Sequence, residues 1–271
     1  MLVKLAGTAL VVLFSASTLD TAQAGRTVFA EEFNGTTLDR SRWNVIVTGR
    51  TVNNEQQAYI DSADVLRVKD GHLEIQPRFR AGFKTPEGRA FDFISGRIDT
   101  RSKVSFTYGT AAARIKLTAG DGLWPAFWAL GDGRWPETGE IDIMENVGDR
   151  TWTSVALHGP NYFGDTPLVK RAPVDITEWH VYSVDWTTEA LDFKIDGRSI
   201  YRVTKEMVEK HGKWAFDNPK HVIVNFALGG DYPFGVNKVS TPYRGLPDST
   251  VRAIRDDKVT MLVDWVRVTS N

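Results

Sequence analysis

Short runs of β-branched and aromatic residues, each bounded by Gly, Pro, Asn or Asp, recur along most of this chain. They include Val65–Val68, Leu73–Pro77, Ala111–Leu117, Val181–Trp186, Leu191–Ile195, Val222–Phe226 and Met261–Val268. Runs of this length and composition read as strands, and strands without intervening helices bury their apolar faces by packing sheet on sheet. Asp196-Gly197, between Phe193-Lys194-Ile195 and Ile200-Tyr201-Arg202-Val203, predicts a tight hairpin turn. Only Lys205–His211 and Ser249–Arg255 look helical, and both are short. The pattern predicts an all-β sandwich or jelly roll. No internal repeat, low-complexity tract or Pro/Ser-rich linker marks off a second domain.

The ends and the charge narrow the setting. Lys4, the apolar stretch Leu5 to Ala16 and the small-residue site Ala22-Gln23-Ala24 read as a secretory signal cleaved after Ala24. Residues 25–271 then form one domain, long enough for a large core. The apolar run is too short to span a membrane, and no later stretch is longer. There is no cysteine, so a secreted form holds together by packing alone, which suits bacterial export. Lys and Arg total 33 against 34 Asp and Glu, without a long basic run. That balance argues against nucleic acid or an anionic membrane as partner.

One strand departs from the oily pattern. Gly139-Glu140-Ile141-Asp142-Ile143-Met144-Glu145-Asn146 sets three carboxylates among apolar residues. Strands disfavour Asp and Glu, and burial disfavours them more. Alternation puts Glu140 and Asp142 on one face and Ile141 and Ile143 on the other. Strict alternation would next bring Met144, not Glu145, to the acidic side. A β-bulge that absorbs one residue would return Glu145 there, and bulges are common beside active sites. Crowded like charges raise the pKa of at least one member, as paired acid and nucleophile chemistry requires. Taken alone, the same run also fits an exposed edge strand whose acids face water.

The flanking sequence favours chemistry. Trp124 and Trp128 stand four apart just upstream, hence on one face of an extended segment, and Trp135-Pro136 follows. Indole planes suit the apolar C–H faces of sugar rings, while carboxylates and amides suit their hydroxyls. Acids beside tryptophans in a cleft point to a polysaccharide.

These strings carry a resemblance. Trp124-Pro-Ala-Phe-Trp128-Ala-Leu-Gly131 followed by Gly139-Glu-Ile-Asp-Ile-Met-Glu145-Asn-Val-Gly148 resembles glycoside hydrolase family 16, in its bacterial laminarinase-like branch. The likeness starts near Glu31-Glu32-Phe33-Asn34-Gly35 and takes in Asn53 to Tyr59, Ser95 to Thr100 and Leu157 to Pro160. It continues through Trp179 to Trp186 and Asn225 to Gly230, and closes at Val263 to Val268. It implies a concanavalin-like jelly roll of two curved antiparallel sheets, the concave one carrying an open groove. It also implies that Glu140 is the nucleophile, Glu145 the general acid/base and Asp142 the hydrogen-bonding partner of the nucleophile, with retention of anomeric configuration. A flat strand would hold residues four steps apart at roughly 13 Å, at about 3.3 Å each. Retaining glycosidases need about 5–5.5 Å between carboxyls, so a bend and the bulge must bring them together.

Further positions are carried over from the resemblance. Trp124 and Trp128 match cleft tryptophans that stack on or hold glucosyl units. Asn54 and Glu55 match a loop that binds sugar hydroxyls, Arg97 a cleft arginine, His158 a groove histidine near the acid/base, and Asn225 a groove amide. Catalysis in such a family needs no cofactor. A structural calcium is implied at Glu32, Gly71 and Asp264, where hard oxygen ligands would clip the chain ends together. The pattern is broken at Tyr108-Gly109-Thr110-Ala111-Ala112-Ala113-Arg114, where Ala112 replaces a glutamate. Asp231 to Asp257 belongs to a subgroup, and its Tyr232-Pro233-Phe234 and Pro242-Tyr243 are placed to shape the cleft rim.

The resulting expectation is a secreted, monomeric, retaining endo-β-glucanase that cleaves internal β-1,3 bonds of laminarin-type glucans. The extra residue in Glu-x-Asp-x-x-Glu favours this over lichenases acting on mixed-linkage glucan. Agar and carrageenan hydrolases and transglycosylases share the acids and stand as alternatives. A non-catalytic carbohydrate-binding module would keep the tryptophans but has no need of both Glu140 and Glu145.

Overall fold

The computed structural model describes residues 25–270. The signal segment and its cleavage site at Ala24 lie outside the described residues. Two large antiparallel sheets face each other. One has seven strands in the spatial order Val169–Pro173, Trp152–His158, Glu140–Glu145, Leu123–Gly131, Lys220–Leu228, Arg97–Asp99 and Asn44–Val45. The other has eight, running Arg198–Thr204, Ala190–Ile195, His180–Trp186, Gly109–Leu117, Met261–Ser270, His72–Ile75 and Leu66–Lys69, with Arg26–Glu31 added beside Met261–Ser270. We call these the groove sheet and the outer sheet.

Alternation decides which side of each strand enters the core. In the Gly109–Leu117 strand every second residue from Gly109 onward is buried; Ala111 pairs with Val184, Ala113 with Tyr182 and Gly109 with Trp186 of the neighbouring strand, and Ile115 joins them in the core. The groove sheet supplies Phe127, Ile141, Leu157, Val222, Val224 and Phe226 from the other side. A fully buried side chain of this size contributes about 1.5–3 kcal/mol over its exposed state. Many of them together replace the disulfides that the chain cannot form. The hairpin at Asp196-Gly197 is present, with both residues at positive φ (50° and 77°) as a tight primed turn demands.

Two features differ from the sequence expectation. A third sheet of three strands, Gln57–Tyr59, Ala90–Ser95 and Arg78–Lys84, includes a parallel pairing of Gln57–Tyr59 with Ala90–Ser95. In addition, besides helices Lys205–Glu209 and Asp248–Arg255 there is a third at Asp231–Asn237. Its Pro233 and Gly235 disguise it, but proline in a first turn removes no intrahelical bond. Trp186 and Trp214 are core residues. Trp179 stacks on His72, and Trp265, on the Met261–Ser270 strand inside the outer sheet, lies under Arg267.

Candidate active site

The acidic strand is bulged where the sequence required it. Against the Leu123–Gly131 strand, Glu140 pairs with Leu130, Asp142 with Trp128, Met144 with Phe127 and Glu145 with Ala126. The register is likewise broken on the other side, where Glu140 faces His158, Asp142 faces Ala156 and Glu145 faces Ser154. Five residue steps from Glu140 to Glu145 therefore span four steps of either neighbour. Four is even, so the three acids share the groove face. Ile143 and Met144, consecutive in sequence, both enter the core; this pair is the bulge.

Register also builds the groove floor. One row runs Ser154, Glu145, Ala126, Asn225 and Arg97, and the next runs Ala156, Asp142, Trp128, Ile223 and Asp99. Alanines at 126 and 156 keep the floor low beside the acids. Each acidic residue at a strand end is held by an indole. Trp124 Nε1 donates to Glu145 Oε1 at 2.8 Å, and Trp135 Nε1 donates to Glu140 Oε2 at 2.9 Å. Trp128 Nε1 donates to Asn225 Oδ1 at 2.7 Å, and the Arg97 guanidinium lies 5.0 Å from the Trp128 ring centre. Thr153 Oγ1 donates to the Glu145 carbonyl at 2.8 Å.

Electrostatics set the site apart. Burial pushes all three carboxyls up, Glu140 and Glu145 to about 8. For both glutamates repulsion from Asp142 is the next cause, and the indole hydrogen bonds and His158 oppose it. His158 Nε2 stands 3.1 Å from Asp142 Oδ2. Glu140, Asp142 and His158 bring one donor atom each within 4.8 Å of one another. No lysine or arginine ion pair reaches any of the three acids among the described residues. Such a cluster holds protons near neutral pH and can both give and accept them.

Most of the expected residues converge. Glu140, Asp142, Glu145, Trp124, Trp128, Arg97, His158 and Asn225 line one groove, and Glu55 joins them through Tyr59. Tyr59 OH accepts from Asn225 Nδ2 at 3.1 Å, while Gln57 Nε2 donates to Glu55 Oε2 at 2.7 Å. Burial raises Glu55 as well, and Arg97 works against that. Asn54 stands apart: exposed at the rim, its amide donates to Asp231 Oδ2 at 2.9 Å and so fastens the loop to the third helix. Trp124 is buried, with Tyr232 edge-on at 5.6 Å between ring centres, so its indole positions Glu145 more than it offers a free face. Trp135, Tyr59 and Gln57 join the site without being among the expected residues, although all three lie within or beside its sequence motifs.

The implied calcium set meets different chemistry. Glu32 accepts two hydrogen bonds from Arg267, at 2.8 and 2.9 Å, and Asp264 accepts one from Arg114 at 2.6 Å with His72 3.7 Å away. Gly71 has φ of 77° in the turn before His72–Ile75. With both carboxylates engaged by guanidinium groups, Glu32, Gly71 and Asp264 as arranged do not fit a divalent cation, which needs free oxygen ligands.

Comparison with known proteins agrees with the geometry. Residues 39–244 match the sequence profile of Glycosyl hydrolases family 16. The chain is 34% identical to a glucan endo-1,3-beta-glucosidase A1 of Niallia circulans over 92% of its own length, but spans only 38% of that protein. It is 35% identical to a beta-glucanase of Rhodothermus marinus, covering 78% of each. Among solved structures, an endo-beta-1,3-glucanase of Pyrococcus furiosus superposes with a TM-score of 0.79 at 31% identity, covering 91% of this chain and 94% of that one.

Proposed function

The chain belongs to glycosyl hydrolase family 16, and from that membership we propose that it is a retaining endo-β-1,3-glucanase acting on laminarin-type glucans. One observation carries the reading: a bulged strand turns three carboxyls, Asp142 buried and Glu140 and Glu145 half-buried, toward a groove, and indole N–H groups hold the outer two. The names of the relatives support the choice of β-1,3-glucan as substrate.

In this mechanism Glu140, as carboxylate, attacks the anomeric carbon while Glu145 donates its proton to the departing glycosidic oxygen. A glycosyl-enzyme ester forms and the reducing-end fragment leaves. Glu145, now ionised, takes a proton from water, and the hydroxide oxygen displaces Glu140 with net retention. Burial and the charge of Asp142 favour the proton that the first step needs on Glu145, but they raise Glu140 alike, so the division of roles between the two glutamates rests on the family and not on these shifts. Asp142, flanked by His158, sits where it can share a proton with Glu140. The open groove suits cleavage within a chain, and Trp128, Arg97, Asn225, Tyr59 and Glu55 supply the hydrogen-bonding wall for hydroxyls on the donor side.

Export remains part of this reading, as does a monomeric state; N-terminal sequencing of secreted protein would find Gly25 first. The deciding experiment incubates the protein with laminarin, lichenan, agarose and carrageenan and follows the anomeric form of the first products by NMR. Release of β-configured laminarin oligosaccharides is expected. Binding without release would make the protein a carbohydrate-binding module, and products from agarose or carrageenan alone would reassign the substrate.

A further inference from the structure

Lys220 opens the strand that lies beside the Leu123–Gly131 strand, and it is fully buried on the core side. A lysine in such a place needs acceptors, because an unpaired ammonium in an apolar interior is strongly disfavoured. Its Nζ donates to the Thr138 carbonyl at 2.6 Å, to Asn218 Oδ1 at 3.1 Å and to the Ala215 carbonyl at 3.2 Å. The rings of Phe216 and Trp186 lie 5.4 and 5.5 Å from the nitrogen. Burial pushes this ammonium down to about 7, and Asp217 is the charge that opposes it.

What the lysine holds matters more than how it is held. Thr138 stands two residues before Glu140 and three after Trp135, the residue whose indole grips Glu140. Between Thr138 and Glu140, Gly139 has φ of 71°, and a Cβ there would come within 2.4 Å of the Ala215 carbonyl. A Cβ on Gly131, at the end of the neighbouring strand, would come within 2.6 Å of Asn218 Oδ1. Three segments thus converge with no room for a methyl group, and Lys220 bonds to two of them beneath the start of the acidic strand.

We propose that Lys220 is a positioning residue for the nucleophile: it ties the Thr138 carbonyl to the Ala215–Asn218 turn and thereby fixes where Glu140 and Trp135 stand. This rests on the reading of Glu140 as nucleophile. A lysine that served stability alone would change the melting temperature and leave the step at Glu140 untouched.

The test measures that step directly. A 2-deoxy-2-fluoro-β-laminaribiosyl fluoride traps the glycosyl-enzyme, and its fluoride leaves without proton donation, so Glu145 drops out of the measured rate. Lys220→Met keeps the bulk but donates nothing; Lys220→Gln keeps an N–H pair on a shorter arm. Both are assayed below their own melting temperatures. Small displacements of reacting groups cost up to about a hundredfold in rate, so Lys220→Met is expected to lower the inactivation rate constant about tenfold. Lys220→Gln should fall between it and the wild type, and reagent affinity should stay within about twofold for both. Wild-type-like inactivation in either soluble variant, or a loss confined to affinity, overturns the proposal while leaving Glu140 labelled in the wild type. A wild-type protein whose labelled peptide lacks Glu140 overturns the nucleophile assignment, and the role of Lys220 with it.

Discussion

The two large sheets treat their charges in opposite ways. On the outer sheet, carboxylates stand beside cations: Asp264 with Arg114, Glu74 with Arg67, Asp185 with Lys194, Glu32 with Arg267. On the groove sheet, Glu140, Asp142 and Glu145 are more deeply buried and have only indole N–H groups and His158 for company. Paired and half-exposed charges keep a strand soluble at little energetic consequence. Unpaired buried ones cost stability and are retained where protons must move. The contrast separates acids engaged by cations from the acids to which the proposed chemistry is assigned.

The largest effect that could break this contrast is on turnover. Glu140→Ala should lower laminarin hydrolysis by about 10⁴-fold or more, in the range seen when a catalytic nucleophile is removed. Added azide should restore a glycosyl azide of inverted configuration, visible by NMR. Retained turnover would strip Glu140 of its role. Next, Glu145→Ala should cost about 10²–10⁴-fold on laminarin, as for loss of a general acid, but far less on an aryl glycoside whose leaving group needs no proton. Equal losses on both substrates would count against Glu145 as proton donor.

The pH profile sharpens the contrast further. With Glu140 and Glu145 raised to about 8 from the usual 4.5, both limbs of kcat/KM should lie well above the ordinary carboxylate range. The apparent values belong to the coupled set rather than to single residues. Since Asp142 repels both glutamates, Asp142→Asn should shift the limbs to lower pH by roughly one unit. A shift upward would show that Asp142 acts in its protonated form.

Melting temperatures carry a smaller and opposite-signed pair of effects. A carboxyl raised in the folded state costs stability progressively as pH climbs from about 4.5, where the unfolded chain ionises, to about 8. Glu145→Gln should therefore match the wild type near pH 4 and melt several degrees higher at pH 8, at about 2–4 °C per kcal/mol. Asp264→Asn, which deprives Arg114 of its partner, should instead lower Tm by roughly 1–3 °C. Identical signs would erase the distinction between the sheets. Smallest of all, exchanging calcium for chelator should leave Tm within about 1 °C, because a ligand stabilises only by binding the native state. A clear calcium-dependent rise would show that Glu32 and Asp264 leave their arginines to bind the ion.

Much of this was legible in the residues. Alternation in Gly109–Leu117, the Asp-Gly turn at 196–197 and the parity problem at Met144 are local signals, and local geometry answers them. The acids, the groove tryptophans, Arg97, His158 and Asn225 came from ordered motifs, and all meet in one groove. Less visible were contacts between residues far apart in the chain. Lys220 and Thr138 are 82 positions apart, and nothing in either segment announces the other. The helix at Asp231–Asn237 was hidden by Pro233 and Gly235, which usually mark loops. The engagement of Glu32 and Asp264 by Arg267 and Arg114 depends on strand pairing and side-chain reach that motif matching ignores.

The spare residue at the Ile143–Met144 bulge has one more implication. Deleting Ile143 would leave Glu-Ile-Asp-Met-Glu, a plain alternation that already turns every acid the same way. The bulge is therefore not what turns the acids to one face: it adds one residue of ribbon between Glu140 and Glu145, a length that a one-codon change could remove without redrawing the scaffold.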